Sequence, residues 1–574
     1  MRQKMVLTLV LVIALLSAVM LTPAFAKPPA NVNVQILAVN DFHGALDTSL
    51  TKPTDPLTGK PTTDQTKWYY RGGAEYLANF VNTSVASNPN TVKVSAGDMI
   101  GASPLLSALF HDEPTVMAFN LMGFDFSNTG NHEFDEGWQE LLRMQNGGCH
   151  PTDGCYAGVP EFPGASFDYL SGNVIRLDNG QTLFASYGVR QFDGVKVGFI
   201  GIALETTPTI VVSSAVEGLM FQAEVDTINR YVKVLKDTEG LKAIVVLLHD
   251  GASAGPTINS CTLADPFFAN VVMKIDPEVD AVITGHTHNA YNCQVQVKKN
   301  YDPMIVTGAG YNGRYLTDID LTIAGTNGQV IGRTATNIPV ETPYLGAVPD
   351  ADMKALLDQY RTASAPMANR IVGTITADIK RGGNMAESAL GDVIADAQLA
   401  ATADPAYGGA VVAMTNPGGI RTDLLYAQIS GGELPGQVTF AEAFAVQPFS
   451  NSLVTMTITG AQLNAVLEQQ ATAGSDGTGR MLQISYSLTY TWTTSAPVDG
   501  KVSNLQINGV AVDPAASYRV TVNNFLAGGG DGFTALTAGT DLLNGMFDVD
   551  AFVNYLTANS PVAPGPMNRI TILP

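Results

Sequence analysis

The sequence predicts an α/β domain followed by a second domain of the α+β class. Between residues 32 and about 338, apolar strand candidates alternate with helix candidates, which is the pattern of layered α/β folds. Beyond about residue 366, strands and helices are mixed without that regular alternation. A chain of 574 residues is long enough to give each of two domains its own buried core.

The first 26 residues are predicted to be a secretory signal rather than part of either domain. Arg2 and Lys4 form a basic start, residues 5 to 20 are apolar, and Ala24-Phe25-Ala26 fits a small-x-small cleavage site. A retained anchor is the alternative, but the apolar stretch is shorter than the about 20 residues that a membrane span needs. We therefore expect a secreted protein, extracellular or periplasmic, that makes no membrane contact after the signal is removed.

The composition restricts the partners that the protein can bind. The formal net charge of −21 argues against nucleic-acid polymers and anionic membranes. A small anionic substrate stays compatible with this charge, because metal ions and a few arginines can reverse the local field. The sequence predicts no particular oligomeric state.

The four cysteines predict two disulfides, because an exported protein meets an oxidising environment. Proximity in the sequence favours Cys149 with Cys155 and Cys261 with Cys293. Free thiols at the surface are the alternative.

In the first part of the chain, helices are predicted over residues 73–87 and 226–238. Residues 48–67, rich in Thr, Pro, Asp and Lys, are interpreted as an exposed insertion, and residues 145–165 as a loop held by a disulfide. A break near residues 341–344 precedes a helix predicted over 350–363, which is followed by Pro366. The predicted division is therefore a signal at 1–26, a first domain at 27–345, a linker helix and hinge at 346–366, and a second domain at 367–574.

In the second domain, helices are predicted over residues 388–402 and 460–470. Strands are predicted over 453–458, 482–490 and 518–522.

Five of the seven histidines lie in short motifs that each follow or end an apolar run. The motifs are Asp41-Phe42-His43, Gly97-Asp98, Gly130-Asn131-His132-Glu133, His249 and Gly285-His286-Thr287-His288. Because the apolar runs are typical of buried strands, these side chains are expected at the carboxyl ends of the strands, where open α/β sheets place their sites. Imidazole nitrogens and carboxylate oxygens suit Zn, Mn or Fe, and a carboxylate can bridge two ions.

The motifs predict two divalent metal ions, Zn, Mn or similar, that hydrolyse a phosphate ester through an activated water. One ion is assigned to Asp41, His43 and His288, the other to Asn131, His249 and His286, with Asp98 as the bridge. His132 is left over and is assigned to stabilising or protonating the leaving oxygen, with Asp135 holding its tautomer. Glu133 is interpreted as a structural partner of its loop, and His111 and His150 as ordinary histidines outside the site.

The order of these motifs resembles that of the calcineurin-like metallophosphoesterases. The extended run Gly130-Asn131-His132-Glu133-Phe134-Asp135 is similar to that of the bacterial and ecto-5'-nucleotidases among them. The resemblance covers nearly the whole mature chain. It implies a four-layer first domain, with two mixed β-sheets flanked by helices, and a C-terminal domain that binds the nucleoside.

The resemblance also implies roles for residues of the second domain. Asn416-Pro417-Gly418-Gly419-Ile420-Arg421 resembles the family's turn whose arginine contacts phosphate. Phe449 and Phe525 resemble the two phenylalanines that sandwich the base, and Asp531 the aspartate that meets the ribose. Without these motif settings, both phenylalanines would be interpreted as core residues. The helix start at Glu387 resembles the one that follows a substrate arginine, for which Arg381 is the candidate and Lys380 the alternative.

The function that these residues imply is that of a secreted 5'-nucleotidase, which releases phosphate from nucleoside 5'-monophosphates. Two other reactions fit the same scaffold: a 2',3'-cyclic-nucleotide phosphodiesterase with 3'-nucleotidase activity, and a pyrophosphohydrolase of UDP-sugars or NAD. A secreted nucleotide-binding or adhesion protein without activity is the alternative from another class.

Overall fold

The computed structural model describes residues 30–52, 62, 67–341, 348–449, 451–474 and 477–574. The predicted signal at 1–26 and most of the predicted insertion at 48–67 lie outside the described residues. In the part of the chain that is described, no helix combines the length and the hydropathy that are needed to cross a membrane.

The first part of the chain alternates strands and helices, as predicted. Its strands are β1 (Val32–Val39), β2 (Ser49–Thr51), β3 (Tyr69–Arg71), β4 (Thr91–Ser95), β5 (Phe126–Asn128), β6 (Asp168–Leu170), β7 (Val174–Arg176), β8 (Tyr187–Phe192), β9 (Val195–Ile202), β10 (Leu219–Phe221), β11 (Ala243–Leu248), β12 (Ala281–Thr284), β13 (Ala290–Val295), β14 (Met304–Ala309), β15 (Tyr315–Ile323) and β16 (Val330–Pro339). Its helices are α1 (Ala74–Val85), α2 (Leu105–Ala108), α3 (Glu113–Met122), α4 (Trp138–Asn146), α5 (Glu224–Thr238), α6 (Pro266–Asn270) and α7 (Ala351–Ala368).

Two six-stranded mixed sheets form the centre of this part. Their strand orders are β16-β15-β1-β4-β5-β6 and β13-β14-β12-β11-β9-β8. Apolar side chains from both sheets, such as Ile36 and Val245, are fully buried between them. Helices α1, α3 and α4 cover the outer face of the first sheet, and α5 and α6 that of the second. The predicted four-layer fold is confirmed.

Helix α5 shows how the sequence produces this packing. Ile228, Val232 and Leu235 are spaced by four and three residues, so they share one face of the helix. That face is buried against strands β9 and β11, and the opposite face is polar. The predicted helix at 226–238 therefore begins two residues earlier and ends as predicted.

Helix α7 differs from the predicted linker helix. It continues to Ala368 and contains Pro366, which removes one backbone hydrogen bond in the last turn without ending the helix. Met353 and Leu357 are buried in the core of the first sheet, and Arg361 pairs with Asp47 and Glu75. The segment is thus a helix that packs on the first part of the chain.

The second part mixes strands and helices, also as predicted. Its strands are β17 (Ile371–Thr374), β18 (Val412–Thr415), β19 (Gln437–Thr439), β20 (Ser452–Thr459), β21 (Gln483–Ile484), β22 (Leu488–Thr493), β23 (Val502–Ile507), β24 (Val510–Ala511), β25 (Ser517–Asn523), β26 (Thr540–Phe547) and β27 (Ile570–Leu573). Its helices are α8 (Ala389–Thr402), α9 (Phe440–Val446), α10 (Gly460–Gln469), α11 (Asn524–Ala527) and α12 (Asp548–Asn559).

A five-stranded sheet in the order β21-β18-β25-β20-β26 and a four-stranded sheet in the order β24-β23-β22-β27 share one core in this part. The single strand predicted over 482–490 is wrong, because a turn at Ser485 divides it into β21 and β22. The Ser485 carbonyl accepts a hydrogen bond from the Leu488 amide, and its hydroxyl accepts one from the Ala413 amide.

Arg569 fastens strand β27 to helix α8. Its guanidinium makes a bidentate pair with Asp396, at 2.7 and 2.8 Å, and its Nε lies 3.5 Å from buried Asp392. Glu387 accepts hydrogen bonds from the backbone amides of Arg569 and Ile570.

Both predicted disulfides are confirmed. Cys149 pairs with Cys155 and Cys261 with Cys293, with sequence separations of 6 and 32. The first closes a short loop after α4. The second joins β13 to the loop that precedes α6.

We expect the longer disulfide loop to contribute more to stability than the shorter one. Chain-entropy estimates give about 4 kcal/mol for the Cys261–Cys293 crosslink and about 2 kcal/mol for Cys149–Cys155. The paired variants Cys261→Ser with Cys293→Ser, and Cys149→Ser with Cys155→Ser, can be compared by urea unfolding. Equal losses of unfolding free energy in the two variants would contradict this expectation.

Candidate metal centre

The seven side chains predicted as metal ligands converge where the carboxyl ends of the two sheets meet. Asp41 and His43 follow β1, Asp98 follows β4 and Asn131 follows β5, all in the first sheet. From the second sheet, His249 follows β11, and His286 and His288 follow β12. Five of the seven residues are buried and His286 is half-buried, while His288 has 32% of its side chain exposed.

The backbone at these positions is shaped to aim the side chains inward. Five of the seven residues have positive φ angles: Asp41, His43, Asp98, His286 and His288. Residues other than glycine rarely have a positive φ angle, and those that do cluster at functional sites. Gly130 allows the loops to approach closely, since a Cβ there would lie 2.1 Å from an oxygen of Asp98.

Asp98 lies between two groups of ligands. Its Oδ2 is 3.0 Å from Nε2 of His249 and 3.8 Å from Nε2 of His43. Its Oδ1 accepts a hydrogen bond from the His132 amide at 2.8 Å. Oδ2 is buried and accepts no hydrogen bond from the residues that the structure describes. An unsatisfied buried carboxylate oxygen between two imidazoles is what a bridging metal ligand requires.

The first group contains Asp41, His43 and His288. Nε2 of His43 lies 3.0 Å from Nε2 of His288, which is 3.7 Å from Oδ1 of Asp41. His43 Nδ1 lies 3.0 Å from the carbonyl of Gly101, so it carries the proton and leaves the Nε2 lone pair free. Burial lowers the pKa of His43, and that of His288 to about 4, so both imidazoles are neutral and able to bind a cation.

The second group contains Asn131, His249 and His286. The Asn131 side-chain oxygen is 3.2 Å from Nε2 of His249 and 3.0 Å from Nδ1 of His286. Nδ1 of His249 lies 2.9 Å from the carbonyl of Ala96, and its Nε2 lies 3.0 Å from Oδ2 of Asp98. Burial acts to lower the pKa of His249, but Asp98 and Asp41 raise it to about 10, which marks a field that favours a cation.

The donors present fit divalent metal ions. Each group offers nitrogen and oxygen atoms of the kind that Zn or Mn prefers, and the two groups share Asp98. Bound there, divalent ions lower the pKa of a water molecule and stabilise charge on phosphoryl oxygens.

Residues that the sequence analysis did not single out hold the ligands in place. The Asn40 side chain donates to the Asp41 carboxylate and to the carbonyl of Gly310. Tyr311 stacks on the His288 ring, with centroids 5.2 Å apart. The position of Asn40 directly before Asp41 is a signal that could have identified it. Tyr311 lies beyond β14, and no local pattern connects it with His288.

Glu133 joins the two loops that carry Asp98 and Asn131. Its carboxylate accepts hydrogen bonds from the backbone amides of Asp98 and Met99, both at 2.8 Å, and from that of Gly130 at 2.5 Å. Its predicted part as a structural partner of the loop is therefore confirmed.

His132 lies beside the ligands and is held by Asp135. Its Nδ1 is 2.8 Å from Oδ2 of Asp135, which also accepts the Ala102 amide at 3.0 Å. Its ring centroid is 5.0 Å from that of His43. Burial acts to lower the pKa of His132, and the carboxylates of Asp135 and Asp98 hold it above its ordinary value. The imidazole is thus held in a fixed orientation at the edge of the centre.

Two residues of the second part of the chain reach this edge. Phe449 stacks on the His132 ring, with centroids 5.9 Å apart and an angle of 21° between the planes. The Arg421 guanidinium lies over the Phe449 ring at 5.5 Å. Burial lowers the pKa of Arg421, as does the charge of Arg381. An aromatic ring and a guanidinium therefore face the predicted metal ligands.

Of the other predicted substrate residues, Asn416 and Asp531 belong to one hydrogen-bonded group. The Asn416 side chain donates to Asp531 at 2.9 Å and accepts from Asn523 at 3.2 Å. Phe525 lies so close to Gly530 that a Cβ there would be 2.4 Å from its ring. A Cβ at Gly419 would lie 3.1 Å from the Asn416 oxygen. Among the ring contacts of the described residues, none joins Phe449 directly to Phe525.

Arg381 lies beside the turn that carries Arg421. Its Nη1 donates to the carbonyls of Ile420 and Arg421, both at 2.8 Å. The alternative, Lys380, faces Asp378 at 3.9 Å with 63% of its side chain exposed. Of the two candidates, Arg381 is therefore the one near the predicted site.

Comparison with known proteins gives the family. Residues 34–290 match calcineurin-like phosphoesterases, and residues 371–538 match the C-terminal domain of 5'-nucleotidases. The cell wall protein Lmo0130 of Listeria monocytogenes is 33% identical over 92% of this chain and 67% of its own length. The chain belongs to the 5'-nucleotidase family. As a member, it is a metal-dependent phosphoester hydrolase, and the family uses divalent metal ions.

Two further proteins are similar to this chain over nearly its whole length. Endonuclease YhcR of Bacillus subtilis is 31% identical over 95% of this chain, which spans 41% of the length of that relative. The 5'-nucleotidase precursor of Thermus thermophilus has a TM-score of 0.73 and 24% identity, covering 94% of this chain and 99% of its own. At that identity, the likeness shows the shared fold.

Proposed function

We propose that this family member is an exported 5'-nucleotidase that releases phosphate from nucleoside 5'-monophosphates. One observation carries the proposal: Phe449 and Arg421 of the second part of the chain face His132 and the ligand groups of the first. A phosphate close to the ligands would therefore be within reach of a guanidinium and an aromatic ring. A nucleotide offers the matching phosphate and flat base.

The ligand groups suggest two ions, one at Asp41, His43 and His288 and the other at Asn131, His249 and His286, with Asp98 between them. Zn and Mn both suit these donors. Within the chain, Arg421 binds and orients the phosphate, with Arg381 supporting its turn. His132, oriented by Asp135, donates a proton to the departing ribose oxygen.

The second part of the chain supplies the nucleoside site in this proposal. Phe449 and Phe525 hold the base between them, and Asp531 binds the ribose hydroxyls while Asn416 and Gly419 shape the turn. The proposed division has a first domain at 27–345 and a second at 367–574, with residues 346–366 between them. The predicted signal at residues 1–26 and the two disulfides support export to the cell surface or beyond.

The relative named as an endonuclease favours one alternative, hydrolysis of phosphodiesters in nucleic acid. The net charge of −21 argues against a long polyanion as the preferred substrate. Single-stranded DNA and RNA therefore belong in the substrate panel.

A substrate panel tests the proposal. Initial rates are compared for AMP, 2',3'-cyclic AMP, UDP-glucose, NAD and single-stranded nucleic acid, each with Zn or Mn after chelation. We expect the highest kcat/KM for AMP. A higher kcat/KM for another substrate would show that AMP is not the preferred one. If none of the substrates is hydrolysed, the proposed activity is wrong.

We expect the double variant Phe449→Ala with Phe525→Ala to lose at least about tenfold in kcat/KM for AMP, since stacking contributes about 1–3 kcal/mol per base. A small alkyl phosphate, which has no base to stack, serves as the control substrate and should change much less. Equal losses for both substrates would show that the two phenylalanines are core residues.

A further inference from the structure

A second group of imidazole and carboxylate side chains lies outside the metal centre, next to the loop closed by Cys149 and Cys155. Each member can offer one ligand atom, and these atoms lie within 4.8 Å of one another. The members are His111, which precedes α3, Glu136 and Glu140 near the start of α4, and His150 inside the disulfide loop. From the sequence alone, both histidines are predicted to be ordinary residues outside any site. The structure brings them into contact.

The two imidazoles are stacked face to face. Their ring centroids are 3.7 Å apart, with an angle of 16° between the planes. Nδ1 of His111 lies 2.5 Å from Oε2 of Glu136, and its Nε2 lies 3.0 Å from Oδ2 of Asp153. One nitrogen each from His111 and His150 and one carboxylate oxygen each from Glu136 and Glu140 lie within 4.8 Å of one another, and they are the donor types of a four-coordinate zinc site.

Negative charge is in excess around the stacked rings. Arg143 pairs with Glu113 at 2.7 Å and with Glu140 at 2.6 Å. The carboxylates of Glu136 and Asp153 face His111 rather than Arg143. Burial acts to lower the pKa of His111, yet Glu136 raises it to about 9 together with Asp153, so the field at this ring favours a cation.

The cluster is also open to an ion from solution. The two histidine side chains are only 17% and 15% exposed, whereas Glu136 and Asp153 are 44% and 53% exposed. An entering cation would therefore meet the carboxylates first and the imidazoles beneath them.

We propose that His111, Glu136, Glu140 and His150 form a further metal site, which binds one zinc-type divalent cation and fastens the disulfide loop to helix α4. This site is separate from the ligand groups around Asp98 and does not depend on the proposed substrate. Its ligands come from three segments that are distant in sequence, so a bound ion crosslinks them.

Counting bound zinc tests the proposal. The full-length protein is stripped with a chelator, reloaded with excess zinc and freed of unbound metal before zinc per chain is measured by mass spectrometry. We expect His150→Gln to hold one zinc ion fewer than the wild type, with an unchanged rate of phosphate-ester hydrolysis. Glu161→Gln, an exposed acid on the same loop, is the matched control and should keep the wild-type zinc count.

Glu136→Gln provides a second variant on the helix side of the cluster, in case His150→Gln disturbs the loop. It should lose the same single ion. Wild-type zinc counts in both variants would overturn the proposal and leave His111 as an imidazolium between two carboxylates. Loss of all zinc, or a fall in hydrolysis that parallels the loss of zinc in both folded variants, would also overturn it, because the cluster would then not be a separate site.

Discussion

Asp98→Ala is expected to lower kcat for phosphate-ester hydrolysis by on the order of 10³-fold or more. A metal ion supplies several kcal/mol of charge stabilisation, and each 1.36 kcal/mol corresponds to a factor of ten. Asp98 is the carboxylate that both ligand groups share, and its Oδ2 has no other hydrogen-bond partner within the described residues. Its removal therefore affects both proposed ions at once. Initial rates and metal content, measured on the same preparation, check this expectation.

Two controls separate a metal effect from misfolding. Asp178→Ala removes an exposed aspartate that pairs with Arg176, and it should leave both rate and metal content unchanged. Thermal unfolding of the Asp98→Ala variant without added metal should resemble that of the stripped wild type. If Asp98→Ala kept nearly the wild-type rate and metal content, the assignment of Asp98 as the bridging ligand would be wrong.

His132→Ala is expected to keep its metal content and to lose about 10²–10⁴-fold in kcat for AMP, the usual range for a positioned acid or base. The reason is geometric, because both proposed ligand groups are assigned without His132, while Asp135 fixes its ring beside them. Metal content and kcat are measured together, as for Asp98.

The leaving group distinguishes a proton donor from a binding residue. p-Nitrophenyl phosphate releases p-nitrophenolate, a stable anion that needs little protonation as it leaves. The variant should therefore lose much less activity with this substrate than with AMP. Asp135→Asn should show the same selectivity with a smaller loss. Loss of bound metal in His132→Ala would make the residue a ligand, and equal losses with both substrates would exclude the proton-donor role.

The sequence predicted the layered fold and the grouping of the seven ligand candidates for one physical reason. Buried strands such as β1 in the first sheet and β11 and β12 in the second require apolar runs. Parallel strands end at one edge of their sheet, so the residues that follow them lie close together. The left-handed backbone of Asp41 and Asp98 could not be predicted, because it depends on close contacts between loops from different strands. Such contacts cannot be predicted from the local conformational propensities of the residues.

The errors have related causes. The turn at Ser485 is stabilised by Ala413, about seventy residues away, so the regular alternation of apolar and polar residues from 482 to 490 gave no sign of a break. Pro366 lies inside α7 because the helix is held by Met353 and Leu357 in the core, and tertiary packing outweighs one lost hydrogen bond. Contact between His111 and His150 depends on the path of the disulfide loop, which no periodicity indicates.

The attachment of β27 affects the order in which the two parts of the chain can mature. This strand pairs with β22 from Tyr490 to Thr493, and Arg569 beside it anchors to α8 near the start of the second part. The four-stranded sheet therefore stays open until residues 570–573 have been synthesised. The first sheet, by contrast, is complete once β16 has emerged. On a chain that is synthesised from its N-terminus, the first part can fold early, while the part proposed to bind the nucleoside stays incomplete until residues 570–573 have emerged.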